Sequence, residues 1–333
     1  MKIAIIGGGW VGCHLAKKLI SEHKVTIYDT NKKLFEESSY KNQNRLHLGY
    51  HYSRSFNTRD LSKNTFQKFI DEYEFLITDV PNNIYCVPYK KSLIDFKTFL
   101  KIFDDYDHEI FEHKDLNVEG CIKTNEKHIN FKKAKDYFND LLKDNFVSKK
   151  INKNEISDLK NNFDLIINCT NNFIRNENDI DSFYEVTISF LYELKNKINF
   201  GALTLVDGPL FSIYPYNNNL YTLTDVEYTP IKKFKGVNEI NEFTKKLNDQ
   251  TKNKIRKKME KKVKSYYPKF NNVFSYKDYF ISIKSKKPNS SDDRSPIITT
   301  EEKIINIFTG KIQGIYLIED FVKNFIKHGK TSA

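Results

Sequence analysis

No run of about 18 apolar residues occurs in the 333-residue chain, so no membrane-spanning helix is expected. Cysteine is scarce: Cys13, Cys86, Cys121 and Cys169 are scattered, with no C-x-x-C pair. That spacing argues against a cysteine zinc site and leads to the expectation of reduced thiols in a cytoplasmic protein. The N-terminus opens on an apolar strand, so no signal peptide is expected. No internal repeat and no long low-complexity linker is present. The length allows one large domain or two intimate ones around a substantial core.

Basic residues outnumber acidic ones, 54 against 43, and the net charge is +11. The excess is local. Between Lys232 and Lys269 there are 14 Lys/Arg against 4 Asp/Glu. Within that segment Ile240, Phe243, Leu247, Ile255, Met259 and Val263 recur every three or four residues, the pattern of amphipathic helices with a lysine-rich solvated face. No nucleic-acid recognition motif accompanies the charge. The alternative to a solvated face is attraction of an anionic substrate or surface.

The most informative stretch is the first thirty residues. Lys2–Ile6 is an apolar run fit for a buried parallel strand. Gly7, Gly9 and Gly12 follow in G-x-G-x-x-G spacing, then a helical pattern over Cys13–Ile20, a second strand at Lys24–Tyr28, and Asp29 at its end. The first glycine permits a sharp turn, the second admits a pyrophosphate, and the third lets helix and strand pack closely. The helix N-terminus offers unpaired N–H groups to phosphate, and the acid accepts from a ribose hydroxyl. Strand, glycines, helix, strand and acid in that order indicate a dinucleotide site.

Asn42 to Ser55 is too polar for a core element and too aromatic for a linker. It packs Arg45, His47, Tyr50, His51, Tyr52 and Arg54 around Gly49. Such a loop suits contact with a cofactor and a polar substrate, or a buried loop whose His and Tyr satisfy backbone groups. His47 and His51 have no carboxylate or third histidine nearby in sequence, so no metal is expected.

Further on, helices are expected over Thr58–Tyr73, Ser92–Phe103 and Phe131–Leu142. Short strands are expected around Asn83–Pro88, Ile110–Phe111, Glu119–Thr124, Ile129–Asn130 and Asp144–Ile151. Asp164–Thr170 has the length of a central parallel strand. Asn171 and Asn172 after it tolerate left-handed turns. Phe183–Leu194, Leu203–Val206, Leu210–Pro215 and Leu220–Val226 read as an antiparallel sheet. Tyr276–Lys284 is strand-like, Asp292–Pro296 forms a turn, and Ile304–Phe308 is a last apolar strand. Thr309–Gly314 then opens a final helix over Ile315–Lys327, a second strand–glycine–helix junction able to face a cofactor.

Four places together resemble the D-amino-acid oxidase-like superfamily of FAD-dependent oxidoreductases. They are the GGGWVG loop with Asp29, the segment Ser38–Tyr52 containing RLHLGYHY, the strand Asp164–Thr170, and the tail Asp293–Pro296 through Gly310–Gly314. RLHLGYHY followed by Ser-Arg-Ser resembles a bacterial branch. Two departures stand out: Asn171 replaces the glycine usual after the third motif, and the tail lacks a glycine–histidine–glycine sequence.

The resemblance implies an α/β fold with a discontinuous Rossmann-like FAD-binding domain (1–75, 131–175 and 292–333). An inserted α+β substrate domain (76–130 and 176–291) is built on an antiparallel sheet. It implies FAD as cofactor. Gly7, Gly9 and Gly12 would hold the pyrophosphate, with N–H groups from Trp10 and Val11, and Asp29 would bind the ribose. Ser39, Asn42 and Arg45 would contact phosphates or flavin. Val147 would meet the adenine, Thr170 would lie beside the pyrophosphate, and Gly310, Lys311, Ile312 and Gln313 would approach the isoalloxazine. Arg294 would face a substrate anion, and His47, His51 and Tyr52 would line the substrate side.

The implied reaction is hydride transfer from a small amino-acid-like or sugar-linked substrate to flavin N5, oxidising a C–N or C–O bond. An alcohol substrate needs a base, for which His47 or His51 is suited. Three rivals remain: a non-redox flavin enzyme such as a sugar-nucleotide mutase, an NAD-dependent dehydrogenase, and a non-catalytic flavin-binding protein. The late Gly310–Gly314 junction favours FAD over NAD. The sequence implies no nucleic-acid partner and leaves the oligomeric state open.

Overall fold

A computed structural model describes residues 1–174, 181–288 and 293–329. The Lys2–Ile6 strand lies inside a sheet covered on both faces, which is why Ile3, Ala4 and Ile5 are fully buried and why no polar alternation marks it. Among the described residues, this sheet runs Ile297–Glu301, Ile304–Phe308, Leu165–Asn168, Lys2–Ile6, Lys24–Asp29, Phe146–Ser148. Neighbours pair in parallel except at the Ile297–Phe308 hairpin. Distant pieces of chain thus share one parallel sheet, as the sequence indicates.

Helices Trp10–Leu19 and Ile315–His328 cover one face. Their Leu15, Ala16, Ile315, Ile318 and Val322 share a core with Ile3, Ile5, Ile27 and Ile167. On the other face Leu159 and Ile151 pack over Ala4, Ile6, Ile166 and Ile304. Leu159 belongs to a helix, Glu155–Asn162, that the sequence does not announce. It is eight residues long with one buried side chain, too little for a visible period.

A second sheet runs Pro230–Phe234, Phe183–Leu194, Leu220–Asp225, Phe211–Asn217, Ala202–Leu205, Asn83–Val87, Gly120–Thr124, His108–Ile110. Phe274–Lys286 lies along Phe183–Leu194. It is antiparallel as expected except at one seam, where Ala202–Leu205 pairs in parallel with Asn83–Val87. The expected helix from Ser92 begins later, at Phe96, because the Asp95 side chain accepts the Thr98 N–H and caps it. The basic segment forms helices Val237–Lys246 and Asp249–Tyr266, with Ile240, Met259 and Val263 buried. The expected turn from Asp292 falls partly outside the described residues, which resume at Asp293.

The expectation of four reduced thiols is corrected. Cys86 and Cys121 are directly opposed in an antiparallel ladder and joined as a disulfide. Strand register brings together what a separation of 35 residues hides. Cys13 and Cys169 remain free.

A buried polar cluster ties three helices together beside the glycine loop. His14 is fully buried, with Nδ1 2.7 Å from the Tyr73 hydroxyl and Nε2 2.9 Å from Glu319. Burial opposes ionisation of Glu319, yet hydrogen bonds from His14 and Lys323 hold its pKa down at about 2. A depressed carboxylate stabilises the fold above its unfolded value and loses that contribution as pH falls toward the folded value. Urea stability should therefore decline between pH 4.5 and about 2. Glu319→Gln should flatten that decline, by on the order of 2 kcal/mol in urea titrations at several pH values.

Candidate active site

Everything in the glycine loop depends on close approach. Gly7 has φ +107°, and a Cβ there would stand 2.8 Å from the Cys169 carbonyl oxygen. A Cβ on Gly12 would stand 1.9 Å from the Gly7 carbonyl oxygen. The Gly8 N–H donates to Asp29 Oδ2 at 2.7 Å, and Asp29 Oδ1 accepts from the Asn31 N–H at 2.9 Å. Asp29 therefore shapes the loop as well as standing where a ribose acid is expected. The Trp10 N–H donates to Ser39 Oγ at 2.9 Å, which brings Ser39 to the loop. The N-cap residue Gly9 has no side chain to cap the helix.

The neighbouring strand ends beside this loop. Thr170 Oγ1 donates to Asn168 Oδ1 at 2.7 Å and accepts from the Ile174 N–H at 3.1 Å. Asn171 and Asn172 adopt φ of +55° and +67°. Asparagine tolerates the left-handed region, so the turn survives the loss of the usual glycine. Val147 pairs with Tyr28 at the sheet edge, one residue before Asp29, and stays 40% exposed.

A second cluster is built where the Arg45–Ser55 loop meets the Gly310–Gly314 turn. Ser55 ends the loop by capping helix Phe56–Tyr73. Lys311 Nζ lies 3.3 Å from His47 Nε2 and 4.8 Å from the centre of the Tyr52 ring. His51 stands 6.0 Å from His47 and 5.2 Å from Tyr52 between ring centres. Gln313 is fully buried; its amide nitrogen donates to the His47 carbonyl at 3.3 Å, while its Oε1 is buried without a partner. Ile312 packs against the first core. Arg294 packs its Cδ near Gly310, where a Cβ would meet it at 3.2 Å, and its backbone N–H donates to Thr58 Oγ1 at 3.0 Å. It also lines a cavity of about 510 Å³ with Lys233, Lys235 and Lys286.

Burial and the nearby cations Arg294, Lys284 and Arg45 bring the Lys311 pKa down to about 7, against the pull of Glu126. Burial and the Lys311 charge bring His47 down to about 3, so its imidazole is neutral near neutrality. His51 is pushed well down by burial and by His47. Of the three, Lys311 is the group held nearest neutrality.

Two residues expected to contact phosphates or flavin, Arg45 and Asn42, also hold partners within the protein. The Arg45 guanidinium donates to the hydroxyls of Tyr85 (2.8 Å), Thr204 (2.9 Å) and Ser212 (2.7 Å), and lies 4.0 Å from the centre of the Tyr214 ring. A buried cation takes the partners that satisfy it, and here these come from the second sheet. Asn42 bonds within its own loop, donating to the Ser38 carbonyl and accepting from the Asn44 N–H. Conversely, Glu126 was invisible in sequence. It is 1% exposed, and it accepts from the Leu48 N–H at 2.7 Å, the Gly49 N–H at 3.3 Å and the Tyr85 hydroxyl at 2.6 Å. Nothing in its surrounding sequence marks it; only the pairing of Arg45–Leu46 with Lys127–Ile129 brings it to the loop.

FAD fits these residues. One end offers a glycine cradle, a helix start whose N-cap residue Gly9 has no side chain, and an acid. The other offers buried polar atoms that lack a protein hydrogen bond: Gln313 Oε1, Arg45 Nε and His51 Nδ1.

Comparison with known proteins agrees. The chain is 31% identical over 337 residues to the FAD-dependent monooxygenase FPY4 of Fusarium mangiferae, covering 97% of this chain and 90% of that protein. This chain belongs to the FAD-dependent oxidoreductases. The oxidoreductase is also 25% identical to the FAD-dependent monooxygenase kojA of Aspergillus flavus, over 95% of this chain and 83% of that one. These relatives are fungal, so they do not carry the resemblance to a bacterial branch. No family model matches the chain. Its fold is that of glycine oxidase from Geobacillus kaustophilus, with TM-score 0.70, 9% identity, and 99% and 95% of the two chains covered. L-proline dehydrogenase from P. horikoshii superposes with TM-score 0.65 at 12% identity, covering 99% of the oxidoreductase and 94% of that chain. No helix among the described residues is long and apolar enough to cross a membrane.

Proposed function

We propose that this oxidoreductase oxidises a C–N or C–O bond of a small polar substrate, amino-acid-like or sugar-linked, with Lys311 as the group that takes the substrate proton. The observation that carries the reading is the meeting of His47, Tyr52 and Lys311 from segments 264 residues apart. Bound FAD supplies the hydride acceptor. Lys311 in its neutral form accepts a proton from a substrate hydroxyl or ammonium, and His47 Nε2 holds the resulting ammonium. Tyr52 presents its ring face to that cation. His51 lines the same space, and Arg294 offers a planar fork to a substrate carboxylate or phosphate.

In this reading Gly7, Gly9 and Gly12 hold the pyrophosphate, Asp29 the ribose, Val147 the adenine edge, and Gly310, Ile312 and Gln313 the flavin ring. Residues 1–75, 131–175 and 292–333 form the FAD unit, and the remainder forms the substrate unit.

The test is anaerobic mixing with panels of amino acids, amines, sugars and sugar acids. Bleaching of the flavin band at about 450 nm by a member of these classes is the expected result. Bound flavin that none of them reduces would remove the reading. A second reading, oxygen insertion, is favoured by the monooxygenase names of the fungal relatives. Label from ¹⁸O₂ recovered in the product, with consumption of an added reductant, would select it over plain oxidation.

A further inference from the structure

Lys311 and His47 do not stand alone. The His47 side chain is 10% exposed, and its two nitrogens face different groups. Nε2 is 3.3 Å from Lys311 Nζ, and Nδ1 is 3.6 Å from Glu126 Oε1. While Lys311 is an ammonium it can only donate, so Nε2 accepts and the ring proton stands on Nδ1, on the side of Glu126. The carboxylate is the anionic group that Nδ1 faces.

Glu126 is itself held rigidly. Two backbone N–H groups of the loop and the Tyr85 hydroxyl fix its oxygens. Burial pushes its pKa up, but His47, Arg45 and the Tyr85 hydroxyl outweigh this and bring it down to about 2. Near neutral pH it is therefore the carboxylate that faces His47.

We infer that Glu126 is a positioning residue of the active site. It fixes the His47 tautomer and, through it, the direction and charge of the Lys311 amine. The inference rests on Lys311 being the base. Other titratable groups face the Lys311–His47 pair as well: the cation Arg45 and the His51 ring from the loop, Lys284 from the long Phe274–Lys286 strand, and Arg294 from the segment before the last hairpin. Among these neighbours Glu126 is the anion that raises the Lys311 pKa.

Glu126→Gln keeps an oxygen for the loop N–H groups and removes the charge. In the FAD-loaded variant, the rise of the flavin-reduction rate with pH should move down by about one pH unit, the size expected for loss of one charge at this range. Glu126→Asp should restore the midpoint while the plateau rate stays reduced, because the charge returns but the contact to His47 lengthens. Histidine-selective ¹⁵N NMR of the FAD-loaded wild type, with His47→Gln assigning the signal, should show His47 protonated at Nδ1. A proton on Nε2, or an unshifted midpoint in Glu126→Gln with flavin still bound, would overturn the inference. If Glu126→Gln fails to fold, the tautomer in the wild type and the Glu126→Asp profile still decide it. Lys311→Arg separates the two levels: full rate there sinks the base reading itself, whereas lost rate with an unmoved Glu126→Gln midpoint sinks only the role of Glu126.

Discussion

A Gly12→Val protein should purify colourless. The side chain at this position must occupy the seam between the first strand and the first helix. A Cβ alone would stand 1.9 Å from the Gly7 carbonyl oxygen, 3.1 Å from its carbon and 3.2 Å from Ile5 Cγ2. The first two are backbone atoms, so no rotamer change relieves them. The helix must lift from the sheet, and the loop that presents N–H groups to the pyrophosphate moves with it. Core overpacking costs about 1–3 kcal/mol where side chains can adjust; here it should reach the upper end or beyond. The ratio of flavin to protein absorbance should fall to near zero, and the thermal midpoint should drop. Gly12→Ala should give the same defect in milder form. Gly236→Ala is the control, because its Cβ would meet only Glu239 Oε2 at 4.0 Å. A Gly12→Val protein that stays yellow would show that the glycine loop does not carry the cofactor.

The fold was legible because its determinants are local. Apolar runs bounded by turn residues give the parallel strands, and the G-x-G-x-x-G spacing gives the first turn. Asn171 is the instructive case. It departs from the usual glycine, yet its own tolerance of positive φ was readable, and the chain adopts φ +55° there. What escaped was short or polar: helix Glu155–Asn162, with one buried residue, and the strand Pro230–Phe234 inside the basic run.

The site was legible only where a segment carries its own chemistry. The RLHLGYHY loop announces itself, and His47, His51 and Tyr52 do cluster. Which loop residue faces which partner depends on long-range packing. Arg45 alternates into the second sheet, where hydroxyls 40 to 167 positions away in sequence receive it. Glu126 enters through a short strand pairing, and the Cys86–Cys121 bond through register in another ladder. Lys311 was assigned to the flavin ring by resemblance. Its suitability as a base follows from burial among Arg294, Lys284 and Arg45, which no sequence window contains.

Lys311→Met should therefore separate binding from chemistry. Methionine retains an unbranched apolar stem and removes the amine, so the Gly310–Gly314 turn and the flavin spectrum should persist. The rate of flavin reduction by substrate should fall by about 10²-fold or more, the contribution of a positioned acid or base. The wild-type rate should rise with pH through about 7, since burial and neighbouring cations place the Lys311 amine there and only its neutral form accepts a proton. In Lys311→Met that rise should vanish. Lys311→Arg sharpens the test. Arginine keeps a cation over the Tyr52 ring but does not deprotonate near neutrality, so it should fail as a base and still hold an anion. Equal losses in the methionine and arginine variants assign the proton transfer to Lys311. An arginine variant of wild-type rate would instead make Lys311 a fixed positive charge, and the base would have to be sought elsewhere in the cluster.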